Sequence, residues 1–303
     1  MATRTGRPAV LITGCSSGIG RAAAISLHEA GFRVYASARN PAALDDLADR
    51  GLHTLALDVT DEASMTEALA AVEADQSAIR VLINNAGYGL YGPVEQQPMS
   101  EIRRQFETNF FGLVRLTQLV LPGMRRQGSG RIVNVSSMGG RATLPGGAFY
   151  HASKYAVEAL SDALRMEVAQ FGIEVVLIEP GPVNTPWNQV AADSLATAVP
   201  GGAGGGPSGP DGDGGGPDGD GDPYAAYKAA VGASFGLVQR GPLARLGSTP
   251  EQIAAVITRA VMARRPHTRY LINPVARSVV TLNQILPGRA YDAVLRRQYK
   301  LPS

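Results

Sequence analysis

Tyr150 and Lys154 stand four residues apart at the start of a stretch whose apolar positions (Ala156, Ala159, Leu160, Ala163, Leu164) keep helical spacing. Both side chains therefore project from one helix face. A tyrosine ordinarily titrates near ~10, and bringing it to about 7 takes roughly 4 kcal/mol of phenolate stabilisation. An ammonium one turn away supplies part of that, which makes the pair a candidate general acid/base. Two more polar residues sharpen the pattern. Ser136 and Ser137 follow the apolar run Ile132-Val133-Asn134-Val135, which puts a hydroxyl at the C-terminal edge of a strand, where ligands bind in open sheets. Asn109 interrupts an otherwise apolar helical stretch (Phe106, Phe110, Phe111, Leu113). Its alternative reading is a buried amide bonded to backbone.

Thr13-Gly14-Cys15-Ser16-Ser17-Gly18-Ile19-Gly20 joins an apolar run to a helical one. Small residues there let backbone approach a pyrophosphate, while the helix start offers unpaired N–H donors and positive potential. The glycine spacing differs from the Gly-x-Gly-x-x-Gly form, but its place after a first strand points to a bound dinucleotide. The positive ring of an oxidised nicotinamide near Tyr150 would add to the Lys154 ammonium. A carboxylate after the second strand ordinarily holds an unphosphorylated ribose, whereas Ser37-Ala38-Arg39 offers a guanidinium that can pair with a 2′-phosphate. Arg39 thus predicts NADP(H) in preference to NAD(H). Cys15 has no neighbouring histidine to activate it and reads as a small loop residue.

The elements that must position these groups alternate. Strands are expected at Ala9–Thr13, Arg33–Ser37, Thr54–Leu57, Val81–Asn84, Arg131–Val135, Glu174–Ile178 and Arg269–Ile272. Helices are expected at Ile19–Ala30, Pro41–Asp49, Glu62–Ala74, Met99–Arg126, Phe149–Phe171 and Pro250–Ala263. Strands alternating with longer helices predict an α/β, Rossmann-type doubly wound domain with a seven-stranded parallel sheet covered on both faces. The whole chain, 1–303, reads as one such domain. Residues 201–222 break the pattern with 12 Gly, 5 Asp and 3 Pro; they read as a disordered insertion without apolar groups to offset ordering entropy. The Asp-x-Asp-x-Asp at 218–222 lacks the turn glycine of a calcium loop, Pro223 standing there instead.

Composition narrows the function classes. The 303 residues hold one cysteine and a net charge of +2, so neither a disulfide scaffold nor a nucleic-acid binder is expected. No apolar run approaches the ~20 residues of a membrane span, and the first residues lack a signal-peptide core. A cytoplasmic protein without a transmembrane segment follows. The basic side includes only three lysines, Lys154, Lys228 and Lys300. The four histidines show no ligand spacing, so no metal is expected.

Taken together, Thr-Gly-x-x-x-Gly-Ile-Gly (13–20), Asn-Asn-Ala-Gly (84–87) and Tyr-x-x-x-Lys (150–154) resemble the short-chain dehydrogenase/reductase family over residues 8 to 273. The resemblance implies a catalytic set of Asn109, Ser137, Tyr150 and Lys154. Ser137, thirteen residues before the tyrosine, is the serine that matches the family's, and Asn109 matches the asparagine that holds a relay water. It also implies dinucleotide binding by Gly14, Ser16, Ser17, Gly18, Ile19 and Gly20, with Arg39 beside them. Asp58 and Val59 would meet the adenine, and Asn85, Ala86 and Gly87 would line the cofactor. Tyr150 and Lys154 would reach the nicotinamide ribose, and Pro180, Gly181, Val183 and Thr185 would hold the carboxamide end. The reaction implied is hydride transfer coupled to proton transfer between an alcohol and its carbonyl. A dinucleotide-sensing binding protein and an epimerase or dehydratase are the alternatives on the same fold.

By the same resemblance the segment after Thr185 covers the substrate. Its apolar residues (Trp187, Val190, Leu195, Tyr227, Phe235, Leu237) suggest a hydrophobic lid, with Tyr88 and Tyr91 on the opposite wall. No charged residue is evidently presented to a carboxylate or phosphate. An apolar secondary alcohol and its ketone, or an aldehyde/alcohol pair, is the expected substrate, in the style of hydroxysteroid and retinol dehydrogenases. The helical tail, 274–303, mixes apolar and basic residues; docking on its own domain is favoured over a membrane surface because Pro287-Gly288 splits it. Family members pair through the helices carrying Asn109 and Tyr150, which implies a homodimer or homotetramer.

Overall fold

Side-chain alternation in the first strand sets the layering. In β1 (Ala9–Ile12), Val10 and Ile12 enter one core cluster while Ala9 and Leu11 enter another on the opposite face, as a period of two requires. The same division runs through β4 (Ile79–Asn84), with Val81 and Ile83 against Leu82, and through β5 (Gly130–Val135), with Val133 and Val135 against Ile132. The remaining strands are β2 (Arg33–Ala38), β3 (His53–Ala56), β6 (Ile173–Pro180) and β7 (Arg269–Ile272). All seven pair in parallel in the order β3-β2-β1-β4-β5-β6-β7. The expected doubly wound sheet is therefore present, with strand ends within two residues of those read from sequence. The computed structural model describes residues 8–75, 78–185, 187–198, 222–240 and 247–302.

Helices α1 (Gly18–Glu29) and α9 (Pro250–Met262) cover one face through Leu27, Ile253 and Ile257. On the other face lie α3 (Glu62–Ala74), α5 (Gly112–Gln127) and α6 (Ala148–Val168), whose Val72, Leu116, Met124 and Leu164 are buried there. Each such side chain contributes about 1.5–3 kcal/mol by leaving water. A short α2 (Asp45–Asp49) follows a 3₁₀ turn at Pro41–Leu44.

Two features depart from the sequence expectation. The helix expected over Met99–Arg126 is interrupted: α4 (Met99–Phe106) and α5 flank a π-helical turn, Glu107–Phe111, that holds Asn109 fully buried. Such turns insert a residue into the ladder and recur at functional sites. The segment expected as a hydrophobic lid, with no helix expected there, carries two, α7 (Trp187–Thr197) and α8 (Ala225–Arg240). The tail forms α10 (Pro274–Ile285) and α11 (Gly288–Tyr299), split at Pro287 as the sequence indicates. It docks on the domain: Asn283 donates to the Arg141 carbonyl at 3.0 Å, and Tyr291 is buried. The disordered insertion expected at 201–222, and with it the calcium-like motif, falls outside the described residues apart from Asp222. No helix among the described residues is long and apolar enough to cross a membrane.

Candidate active site

The strand order reverses between β1 and β4, and the C-terminal ends of these strands carry the glycine loop and the Asn-Asn-Ala-Gly run. Crevices at such a reversal are where open α/β sheets take ligands. Thr13 stitches the two segments together. Its hydroxyl accepts the N–H groups of Asn85 and Ala86, each at 3.0 Å, while Asn85 Nδ2 donates to the Thr13 and Gly14 carbonyls at 2.8 and 3.1 Å. Gly14 has φ +73°, and a Cβ there would lie 2.9 Å from the Ala86 Cα. A Cβ on Gly20 would sit 2.4 Å from both Asn85 Nδ2 and the Gly14 carbonyl oxygen. Only glycine leaves this cradle open. Ser16 and Ser17 are exposed at its rim, and α1 begins without a side-chain cap, so its first N–H groups are available to an anion. The residues thus fit a pyrophosphate.

The rest of the expected cofactor set lies along the same edge. Thr185 sits over Gly18, bringing the Pro180–Thr185 segment to the loop, and Val183 bridges to Ser248. Arg39, past the end of β2, is exposed and has no ion pair among the described residues. Asp58 stands past β3; its carboxylate accepts from the Thr60 N–H and hydroxyl at 2.9 and 2.8 Å, shaping the turn into α3. Val59 is buried, with its carbonyl against Gly112. Cys15 is fully buried, and burial pushes its thiol up to about 12, in keeping with a packing role.

The four candidate catalytic residues converge. A Cβ on Gly87 would lie 3.0 Å from Asn109 Oδ1 and 3.6 Å from Lys154 Nζ, so this glycine separates the two polar groups. Lys154 Nζ donates to the Val135 carbonyl at 2.9 Å and lies 6.0 Å from the Tyr150 ring centre. Ser137 stands beside the Tyr150 phenol and favours its ionised form. Burial pushes the Tyr150 phenol up to about 12, only partly offset by Ser137. Burial likewise pulls Lys154 down to about 8, against the opposing charge of Glu158. Desolvation thus favours the protonated phenol and the neutral amine alike. Asn109 is held by three side-chain hydrogen bonds. Both its amide hydrogens are used, on the Tyr88 carbonyl (2.9 Å) and Ser153 Oγ (3.1 Å), and Oδ1 accepts the Tyr88 N–H at 3.0 Å. It therefore acts first as a clamp on backbone, and only a lone pair of Oδ1 and its main chain remain for a water relay.

Above Tyr150 the lid brings an apolar cluster of Tyr91, Ala191, Leu195 and Val231, with Trp187, Tyr227 and Leu301 packed against it. Ring centres of Trp187 and Tyr91 lie 5.1 and 6.0 Å from that of Tyr150. Val190, expected in the lid, is instead exposed, and side chains beyond Ser234 in α8, Phe235 and Leu237 among them, lie outside the described residues. Asp222, assigned to the insertion by sequence, is tied down by Lys228, by Gln96 Nε2 at 2.6 Å and by the Tyr224 N–H at 2.9 Å. A neighbouring cavity of about 290 Å³ is lined by Tyr88, Leu90, Ser194 and Thr197 together with Glu101 and Arg104. The two charged groups that border this region, Glu101 and Arg104, pair with each other. Among the described residues no group of three or more side chains is arranged to hold a metal.

Sequence reasoning passed over His151. It is 3% exposed, its Nδ1 faces the Gly139 carbonyl at 2.9 Å, and its Nε2 accepts the Leu144 N–H at 3.2 Å. Since Leu144 must donate, Nδ1 carries the proton and donates to Gly139. The imidazole thereby fixes the loop that follows Ser137. Only its position beside Tyr150 hinted at this.

A glycine cradle at the reversal of a parallel sheet, with buried Tyr150 and Lys154 and half-buried Ser137 beyond it, defines a dinucleotide-type oxidoreductase architecture. The short chain dehydrogenase family model matches residues 8–195, and the chain belongs to that family. The oxidoreductase YbbO of Escherichia coli K12, itself uncharacterized, is 35% identical over 292 residues, spanning 95% of this chain and 93% of that one. An NADPH-dependent 3-dehydrocapnine reductase of Ornithobacterium rhinotracheale is 31% identical over 303 residues, 96% of each. A short-chain dehydrogenase structure from Streptomyces avermitilis superposes with a TM-score of 0.74 at 32% identity, covering 97% of both chains. Serine dehydrogenase complexed with NADP+ gives 0.70 at 26% identity, over 88% of this chain and 95% of that one.

Proposed function

We propose that this oxidoreductase is an NADP(H)-dependent enzyme that interconverts an apolar carbonyl compound and its alcohol, with Tyr150 as the general acid/base. The observation that carries the reading is the buried Tyr150 phenol, beside Ser137 and covered by Trp187, Tyr91 and Leu195. The cradle of Gly14, Ser16, Ser17, Gly18, Ile19 and Gly20 would hold the pyrophosphate. Asp58 and Val59 would meet the adenine, Asn85 to Gly87 the adjoining ribose, and Pro180, Gly181, Val183 and Thr185 the nicotinamide end. When bound, the nicotinamide supplies or accepts the hydride. Arg39, free of a protein carboxylate among the described residues, would pair with a 2′-phosphate, which supports NADP(H) over NAD(H). Complexes of related structures with NADP+ and the NADPH dependence of one relative agree with this.

The protonated Tyr150 can donate to a carbonyl oxygen in reduction and take the proton back in oxidation. Ser137 would hydrogen-bond the same oxygen, and Lys154, kept beneath the phenol by the Val135 carbonyl, would stabilise the phenolate left behind. The apolar lining favours ketones and aldehydes without charged groups near the carbonyl. Exposed Phe111, Tyr155 and Met166 on or beside α5 and α6 support pairing of two or more copies through those helices, and the lone reduced cysteine suits the cytoplasm.

NADPH oxidation followed across a panel of apolar ketones and aldehydes tests the reading. Turnover is expected with the native chain, and Tyr150→Phe should lower kcat by about 10²–10⁴-fold with NADPH affinity nearly unchanged. A variant retaining most of its activity would overturn the assignment of Tyr150, and net consumption of NADPH separates a reductase from an epimerase or a sensor.

A further inference from the structure

One helical turn past Lys154, α6 presents Glu158 to a buried charged cluster that the scheme above does not use. Glu158 pairs with Arg269 of β7, which also reaches Glu179 of β6, and Glu179 is reached in turn by Arg141 from the turn after β5. Both carboxylates are buried, Glu179 with 1% of its side chain exposed and Glu158 with 7%. They converge on a single donor: Arg269 Nε, with one hydrogen, lies 3.1 Å from Glu158 Oε2 and 3.1 Å from Glu179 Oε1. The other end of that guanidinium is drawn away, Nη2 donating to Asp162 at 2.6 Å, and Arg141 reaches Glu179 Oε1 only at 3.3 Å. The remaining oxygens, Glu158 Oε1 and Glu179 Oε2, are buried with no hydrogen-bond partner.

Two carboxylates sharing one N–H, each with a bare buried oxygen, cannot both ionise cheaply. A proton on one turns an orphaned acceptor into a donor and removes the repulsion. We infer that Glu158 and Glu179 form a proton-sharing pair that sets the charge state of Lys154, acting as positioning residues behind the catalytic helix. The inference rests on the role proposed for Lys154. Burial, with repulsion from Glu158, pushes Glu179 up to about 7, so the pair changes from one negative charge to two near neutral pH, its proton leaving to solvent. Tyr150 and Glu158 flank Lys154 on its own helix, and Glu158 is the charge that supports its ammonium; behind Glu158, Arg269 joins it to Glu179, which Arg141 also pairs, while His151 is held neutral. The second negative charge appears as pH rises towards the range where buried Lys154 would lose its proton. It therefore extends the alkaline range over which the ammonium persists.

Two measurements test this. Infrared titration of the native chain should find a protonated-carboxyl C=O band at pH 6 that disappears as pH rises through about 7, and Glu179→Gln should remove it. In the pH profile of kcat/KM, the alkaline limb should move to lower pH by about half a unit or more in Glu158→Gln, and in the same direction in Glu179→Gln. Exposed Glu167→Gln on the same helix should change neither. A native chain with no carboxyl band titrating near neutrality would overturn the pair, even if a variant failed to fold. Unmoved alkaline limbs in both variants would overturn its control of Lys154. Neither failure touches the functional reading, which stands or falls with Tyr150→Phe.

Discussion

Replacing His151 with glutamine tests whether a neutral imidazole braces the loop behind Ser137. Protonating the native ring would set a second donor against the Leu144 N–H, in a site 3% exposed. Burial accordingly depresses the imidazole from its ordinary ~6.5 to about 4. The sign follows from proton counting. Between these two values the unfolded chain binds a proton that the folded chain refuses, so stability is complete above about pH 6.5 and is lost as pH falls towards 4. From pH 7 to pH 5 the loss attributable to this group is about 2 kcal/mol, at 1.36 kcal/mol per unit. Glutamine does not titrate. Its variant should be less stable at pH 7 by roughly 1–3 kcal/mol, for imperfect replacement of two buried hydrogen bonds, and should lack the acid-side loss. Urea unfolding followed by far-UV circular dichroism at pH 5, 6 and 7 gives both stabilities. Their difference cancels other titrations, notably that of Glu179, whose raised value acts in the opposite sense. The stability gap should narrow by about 2 kcal/mol between pH 7 and pH 5. A gap constant across that range would refute the assignment of a buried, neutral, load-sharing imidazole.

Further outcomes follow from the cofactor edge. Arg39→Ala should raise KM for NADPH by about 10- to 100-fold, the value of one charge-assisted contact of 1.5–3 kcal/mol, with KM for NADH little changed; equal effects on both would remove Arg39 from the 2′-phosphate. Gly14→Ala and Gly31→Ala both force alanine to positive φ, +73° and +89°, but only Gly14 faces the Ala86 backbone, Gly31 having nothing within 4 Å. Both should lower Tm by a few degrees, from about 1–2 kcal/mol of strain, while calorimetry should find dinucleotide binding impaired in Gly14→Ala alone.

Much of this architecture is legible in the sequence because its signals are local. Short apolar runs such as Ala9–Ile12 and Ile132–Val135 alternate with helical spacing, and glycines stand where backbone must pass backbone. The places of Ser137, Tyr150 and Lys154 follow from strand end and helix face. What was not legible depends on tertiary surroundings. The protonation of Tyr150 is decided by how much of the lid lies over it, and the lid residues are distant in sequence. The double role of Asn109 needs Tyr88 and Ser153 brought alongside, and the π turn that carries it has no period that a single sequence reveals. His151 fell outside a search for metal-ligand spacing because its partners are main-chain atoms. Glu158 and Glu179 read as ordinary charged positions until helix and strand are packed together.

Trp187 is the sole tryptophan of the chain, and its ring centre lies 5.1 Å from that of Tyr150. All indole emission from the protein therefore originates at the cover of the phenol. Fluorescence that would average over many sites in another chain is here a single-point reporter, so cover movement and ligand arrival can be timed in the unlabelled protein.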